Sequence, residues 1–180
     1  MIDYVPISHR DNQNGTKIFE ILMPRFGLGV WQMNDKECKS SILHALDNGY
    51  RLIDTATAYG NENAVGEAIR SSKIPRDEIF VVTKLRRVHA TGFDETISQC
   101  RESLQRLGLD FVDLYLVHAP PENISVRGEV WRAMETCLKL GLTKSIGVSN
   151  YGIEHREAMK EYETILPSVN QIEVPPCRPR

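Results

Sequence analysis

Gly49-Tyr50-Arg51-Leu52-Ile53-Asp54-Thr55-Ala56-Thr57-Ala58-Tyr59-Gly60-Asn61-Glu62 reads as a short apolar strand that stops on a carboxylate. A tyrosine follows on a polar loop, and a helix begins directly after it. Three later strands end in the same manner, at Lys84, at His118 and at Ser149-Asn150. Strand after strand thus delivers a polar side chain at its C-terminal end, which is how the functional face of a parallel β/α barrel is assembled.

Outward from this stretch the same alternation continues. Asp11-Asn12-Gln13-Asn14-Gly15 is a turn signal, and Ile18–Leu22 can pair with the residues before it as an N-terminal β-hairpin. Arg25–Trp31 is the first barrel-type strand. A helix follows from the capping box Asn34/Glu37, with Cys38, Ile42, Ala45 and Leu46 as its apolar stripe and Gly49 as its stop. Strands are expected at 51–54, 79–84, 112–118, 144–149 and 168–173, with helices at about 61–70, 94–107, 128–140 and 153–162 between them. The run Ile79-Phe80-Val81-Val82-Thr83-Lys84 is almost continuously apolar, as suits a parallel strand covered on both faces. Strand–helix alternation forces parallel pairing with crossover helices. The fold class is therefore α/β, of the (β/α)8 TIM-barrel type, as a single domain over 1–180. Six units are visible where a closed barrel has eight in about 250 residues, so the barrel is expected to be incomplete, its C-terminal third missing.

Composition narrows the function classes. The chain has 180 residues, 41% hydrophobic and 26% charged, and a formal net charge of −2. Nothing there points to nucleic acid or a membrane surface as a partner. The N-terminus has no basic segment leading into an apolar run, and no stretch is apolar enough to span a bilayer. Cys38, Cys100, Cys137 and Cys177 are far apart and lack metal-ligand spacing. The first three fall on apolar helix faces and read as reduced, buried thiols, which places the protein in the cytoplasm with no metal site.

At this point the residues resemble a known family. Tyr50-Arg51, Ile53-Asp54-Thr55-Ala56, Tyr59, Asn61-Glu62 and Val65-Gly66 are similar to a signature of the aldo-keto reductases. So are Leu107–His118, Ile146-Gly147-Val148-Ser149-Asn150-Tyr151 and Val169-Asn170-Gln171-Ile172-Glu173, in the same order. The resemblance implies reduction of aldehydes or ketones to alcohols with NADPH. It implies a catalytic tetrad of Tyr59 as proton donor with Asp54, Lys84 and His118. A free tyrosine holds its proton too tightly for work near neutrality. A neighbouring ammonium favours the phenolate, so Lys84, held by Asp54, is expected to lower the pKa of Tyr59. His118 is expected to hydrogen-bond the substrate carbonyl.

The resemblance further implies that Gly29, Val30, Asp54, Ser149, Asn150 and Gln171 contact the cofactor, and that Trp31 and His118 contact a small carbonyl substrate. Taken singly, each tetrad residue also has an ordinary reading, as a turn carboxylate, a packed aromatic, a solvated lysine or a backbone-binding histidine. The chain departs from the family at Ala119, where a tryptophan is frequent, and at Arg86-Arg87, where an aromatic is common. A wider or more polar pocket, tolerant of acidic or hydroxylated substrates, is expected. The alternative to a working enzyme is a non-catalytic, truncated family member serving as a binding scaffold or inactive fragment. An open sheet that associates with other chains and binds NADPH weakly is the corresponding expectation.

Overall fold

In the computed structural model, which describes residues 2–174, six parallel strands lie side by side in chain order and curl into an open half-barrel. An antiparallel hairpin of β1 (Tyr4–Arg10) and β2 (Lys17–Pro24) precedes them. The sheet then runs β3 (Gly27–Gly29), β4 (Leu52–Asp54), β5 (Phe80–Leu85), β6 (Leu114–Val117), β7 (Ile146–Ser149) and β8 (Asn170–Gln171). Helices α1 (Asp35–Asp47), α2 (Glu62–Ser71), α3 (Phe93–Leu107), α4 (Arg127–Lys139) and α5 (Ile153–Met159) fill the crossovers.

Alternation along the central strands sorts side chains into two cores. Val81 and Leu85 of β5, with Tyr115 and Val117 of β6, face outward into the large core shared with the helices. Phe80 and Val82 of β5, with Leu114 and Leu116 of β6, face the barrel interior. Both faces of these strands are buried, and their nearly unbroken apolar sequence follows from that. The interior core is closed from below by the hairpin, whose Ile7, Ile21 and Met23 pack against it. Fully buried His9 fastens the hairpin there, through Ser145 Oγ at 2.9 Å and the Leu166 carbonyl at 3.3 Å.

The helices form where their stripes predict. The side chain of Asn34 accepts from Glu37 N at 3.0 Å, and Glu37 accepts from Asn34 N at 3.1 Å, completing the capping box of α1. Cys38, Ile42, Ala45 and Leu46 are its buried residues. Cys100 and Cys137 are likewise buried thiols, on α3 and α4; Cys177 lies outside the described residues. Helices α2 and α3 touch so closely at Gly66 that a Cβ there would collide with the Leu107 carbonyl.

The edge strands are shorter than the sequence suggests. The expected strand 25–31 is regular only over Gly27–Gly29, and 168–173 only over Asn170–Gln171. Among the described residues each pairs on one side only, β3 with β4 and β8 with β7, and half of its backbone groups extend no ladder there. Between these two edges lies an open cleft of about 510 Å³, floored by Met23 and Pro24 and walled by Leu52, Val82, Leu114 and Val169.

Candidate active site

The C-terminal ends of β4 to β8 converge on one rim. Asp54 ends β4, and Lys84 is the fifth residue of the six in β5. His118 follows β6, Ser149 ends β7 and Gln171 ends β8. Tyr59 reaches the same place from a 3-10 turn, Thr57–Tyr59, which is closed by Gly60 in the left-handed conformation. The resulting cleft, about 510 Å³, is lined by Trp31, Tyr59, His118, Ser149, Asn150 and Gln171 among others.

Lys84 is the hub. Its side chain is 1% exposed, and its ammonium donates to a carboxylate oxygen of Asp54 and to the Thr55 carbonyl at 3.0 Å. A buried ammonium needs such partners, since desolvation otherwise favours its neutral form. Its third neighbour is the Tyr59 hydroxyl at 3.5 Å. The Tyr59 and His118 rings meet edge to face, with centroids 5.6 Å apart. The four residues singled out from sequence are thus within side-chain reach of each other.

Their protonation is set by burial first. Desolvation pushes Lys84 below its ordinary value, and the Asp54 carboxylate opposes that shift. Desolvation also lowers His118, with the Lys84 charge acting in the same direction and Asp54 against it; the imidazole is therefore neutral at pH 7. Tyr59 is pushed up to about 12, by burial and then by the Asp54 carboxylate. This corrects the expectation that Lys84 lowers it. The ammonium is committed to Asp54 and Thr55, and the hydroxyl stands at the outer limit of hydrogen-bond distance. Desolvation of the phenolate wins.

The remaining predicted residues divide. Ser149 Oγ donates to the Gln171 carbonyl at 3.0 Å, and Asn150 Nδ2 donates to the His118 carbonyl at 3.0 Å. Asn150 adopts φ 60°, a left-handed conformation that asparagine tolerates better than most residues; that turn brings its amide back to β6. Trp31 is 66% exposed on the cleft wall. Gly29 borders the neighbouring gap between β3 and β8. Val30 is different: its side chain is fully buried in the helix-side core, so only its backbone is available near the rim.

A supporting layer escaped the sequence reading. Asn61 is buried, accepts from Thr55 Oγ1 at 2.9 Å and donates to the Val30 carbonyl at 2.9 Å. It thereby ties the loop after β4, to which it belongs, to the loop after β3. Glu62, also buried, accepts from Thr83 Oγ1 at 2.6 Å and Arg106 Nε at 2.7 Å, joining β5, α2 and α3 behind Lys84. The signal was present as two polar residues at the start of α2, but the partners of Glu62 lie 21 and 44 residues away and the Val30 partner of Asn61 lies 31 away.

The donor set suits one end of a nicotinamide cofactor. A hydroxyl and two amides at Ser149, Asn150 and Gln171 can donate to and accept from a carboxamide. Among the described residues, no lysine or arginine lines that cleft.

Comparison with known proteins agrees with this geometry. The model of the aldo/keto reductase family matches residues 23–180. An aldo-keto reductase of Mycolicibacterium vanbaalenii is 49% identical over 154 residues, which is 86% of this chain and 55% of the relative. The crystal structure of an aldo/keto reductase from Brucella melitensis superposes with a TM-score of 0.84 at 39% identity, covering 97% of this chain and 64% of that one. An aldo-keto reductase of Bombyx mori, solved in complex with NADP, superposes with a TM-score of 0.81 at 33% identity, covering 97% and 59%. The chain spans about half the length of the curated relatives it matches.

Proposed function

This chain belongs to the aldo/keto reductase family of oxidoreductases, and from that membership we propose that it reduces small aldehydes or ketones to alcohols with NADPH, Tyr59 giving the proton. The observation that carries the reading is the position of the buried Lys84 ammonium, held by Asp54 and 3.5 Å from the Tyr59 hydroxyl. When bound, NADPH supplies a hydride to the carbonyl carbon. The carbonyl oxygen then needs a proton, and Tyr59 is the protonated donor on the cleft wall. As the proton leaves, charge develops on the phenolic oxygen, and the nearby ammonium is a fixed, desolvated charge that favours it. Neutral His118 donates a hydrogen bond from its ring to the same carbonyl oxygen and steers it toward Tyr59. Solvent returns the proton to Tyr59 after turnover.

Ser149, Asn150 and Gln171 would hold the nicotinamide carboxamide, and Trp31 would cover the substrate. The NADP named in the Bombyx mori structure supports this cofactor. The cytosol is the proposed setting. No helix among the described residues is long and apolar enough to cross a membrane.

A second reading, a non-catalytic binding scaffold, is favoured by the gap between β3 and β8 and by the lack of basic residues in the cleft lining. Fluorescence titration with NADPH separates the two. The reductase reading expects saturable binding that Tyr59→Phe preserves, with carbonyl-dependent NADPH oxidation that Tyr59→Phe abolishes. Absence of NADPH binding favours the scaffold.

A further inference from the structure

Arg86 stands one residue beyond β5. The parallel register pairs Lys84 with Leu116 and Leu85 with Val117, and His118 N donates to the Leu85 carbonyl at 3.1 Å. One further step along that register sets Arg86 beside His118. Side chains on a strand alternate: Leu85 faces the helix-side core, while Lys84 faces the site. Arg86 therefore takes the same face as Lys84, one tier higher and beside His118, just beyond the residues that line the cleft.

Its surroundings leave its charge available. Arg86 is exposed, and among the described residues it makes no ion pair. Its neighbour Arg87 is neutralised by Glu122 across the loops that follow β5 and β6. Ala119, directly after His118, takes up little of the room above the site. On the far wall the Glu173 carboxylate lines the cleft from beyond β8, and Asp54 is already shared between Lys84 and Gln171. A negative group entering this mouth is repelled from the β8 side and drawn to the β5–β6 side. There a planar guanidinium can take both oxygens of a carboxylate at once.

We propose that Arg86 selects carbonyl compounds bearing a carboxylate, pairing with that carboxylate while Tyr59 and His118 hold the carbonyl end. This rests on the reductase reading given above. Arg86 is a specificity residue and not part of the proton-transfer set.

4-Carboxybenzaldehyde and its neutral ester, methyl 4-formylbenzoate, differ chiefly in one charge and serve as probes. Both are titrated by NMR into the 180-residue chain. The acid is expected to bind about tenfold more tightly than the ester, the size of one charge-assisted hydrogen bond. Arg86→Gln is expected to erase that preference and Arg86→Glu to reverse it. Arg87→Gln, whose charge is already spent on Glu122, is expected to keep it. Equal affinities in the unmodified chain, a preference surviving in Arg86→Gln, or no binding of either probe overturns the proposal. NADPH oxidation followed in the same samples reads the underlying assignment separately. An acid preference without oxidation removes the reductase reading and leaves the anion site; oxidation at equal efficiency with both probes does the opposite.

Discussion

The side-chain amide of Gln171 donates to Asp54 Oδ2 at 2.7 Å, although the two residues stand on strands that do not pair. Gln171 belongs to the last strand of the open sheet and Asp54 to the second. The other oxygen of the same carboxylate receives Lys84. One carboxylate thus fastens the buried ammonium and also spans the mouth of the gap. Gln171→Ala is expected to lower stability by only about 0.5–1 kcal/mol, since water competes at this exposed contact. It should nevertheless accelerate amide hydrogen exchange at Asn170 and Gln171. Unchanged exchange there would show that the bridge does not restrain β8.

Asp54 also governs the acidity of Tyr59. Its carboxylate adds to burial in pushing Tyr59 up to about 12. Asp54→Asn removes that negative charge and releases Lys84 toward the hydroxyl, and both changes favour the phenolate. The Tyr59 titration, followed by NMR of ring-labelled tyrosine, is expected to move down in Asp54→Asn. A titration that stays in place would mean that burial alone sets it.

The hairpin should be sensitive to acid. Burial lowers the pKa of His9 below its ordinary value, with the Leu166 carbonyl opposing. A group depressed in the folded state contributes stability that is complete above about 6.5 and is lost as pH falls below it. The thermal midpoint should therefore drop more steeply between pH 7 and pH 5 in the unmodified chain than in His9→Gln. His118 is depressed in the same direction, so the variant retains part of the slope. Parallel curves for the two proteins would exclude His9 as a contributor.

Asn61→Ala leaves Thr55 Oγ1 without its partner and the Val30 carbonyl with Met33 N alone, at 3.3 Å, in a buried place. The expected loss is about 1–3 kcal/mol by chemical denaturation. Hydrogen exchange should rise over residues 56–60, because the turn that carries Tyr59 loses its tie to the ends of β3 and β4. Loss of stability without faster exchange there would make Asn61 a general packing residue.

Gly66→Ala forces a methyl group against the Leu107 backbone, where no flexible side chain can yield. Helices α2 and α3 must separate, at roughly 1–3 kcal/mol. A thermal midpoint equal to that of the unmodified chain would show that the two helices slide freely.

Much of this molecule was legible in its sequence because local period and burial coincide. The stripe Cys38, Ile42, Ala45 and Leu46 is the buried face of α1, and the apolar run of β5 is buried on both sides. Asp54, Lys84 and His118 could be placed because a parallel strand fixes where its C-terminal end emerges. What escaped was set by relations between distant residues. Strands β3 and β8 are short, and among the described residues each has one neighbour only, which no local pattern records. The direction in which Tyr59 shifts depends on whether Lys84 spends its charge on Asp54 or on the hydroxyl. The roles of Asn61 and Glu62 depend on Val30, Thr83 and Arg106, brought up by other elements.

The seat of the hairpin has a consequence for the order in which this chain is made. Its β1–β2 ribbon leaves the ribosome well before the groups that fasten His9, at Ser145 and Leu166, which are 136 and 157 residues downstream. Asn12 likewise donates to the carbonyls of Lys160 and Glu163. The nascent ribbon therefore has no complete seat until nearly all of the described chain has emerged, and contacts this far apart in sequence form slowly. Until then the interior-facing Phe80 and Leu114 lack the cover that Ile7 gives them in the folded chain.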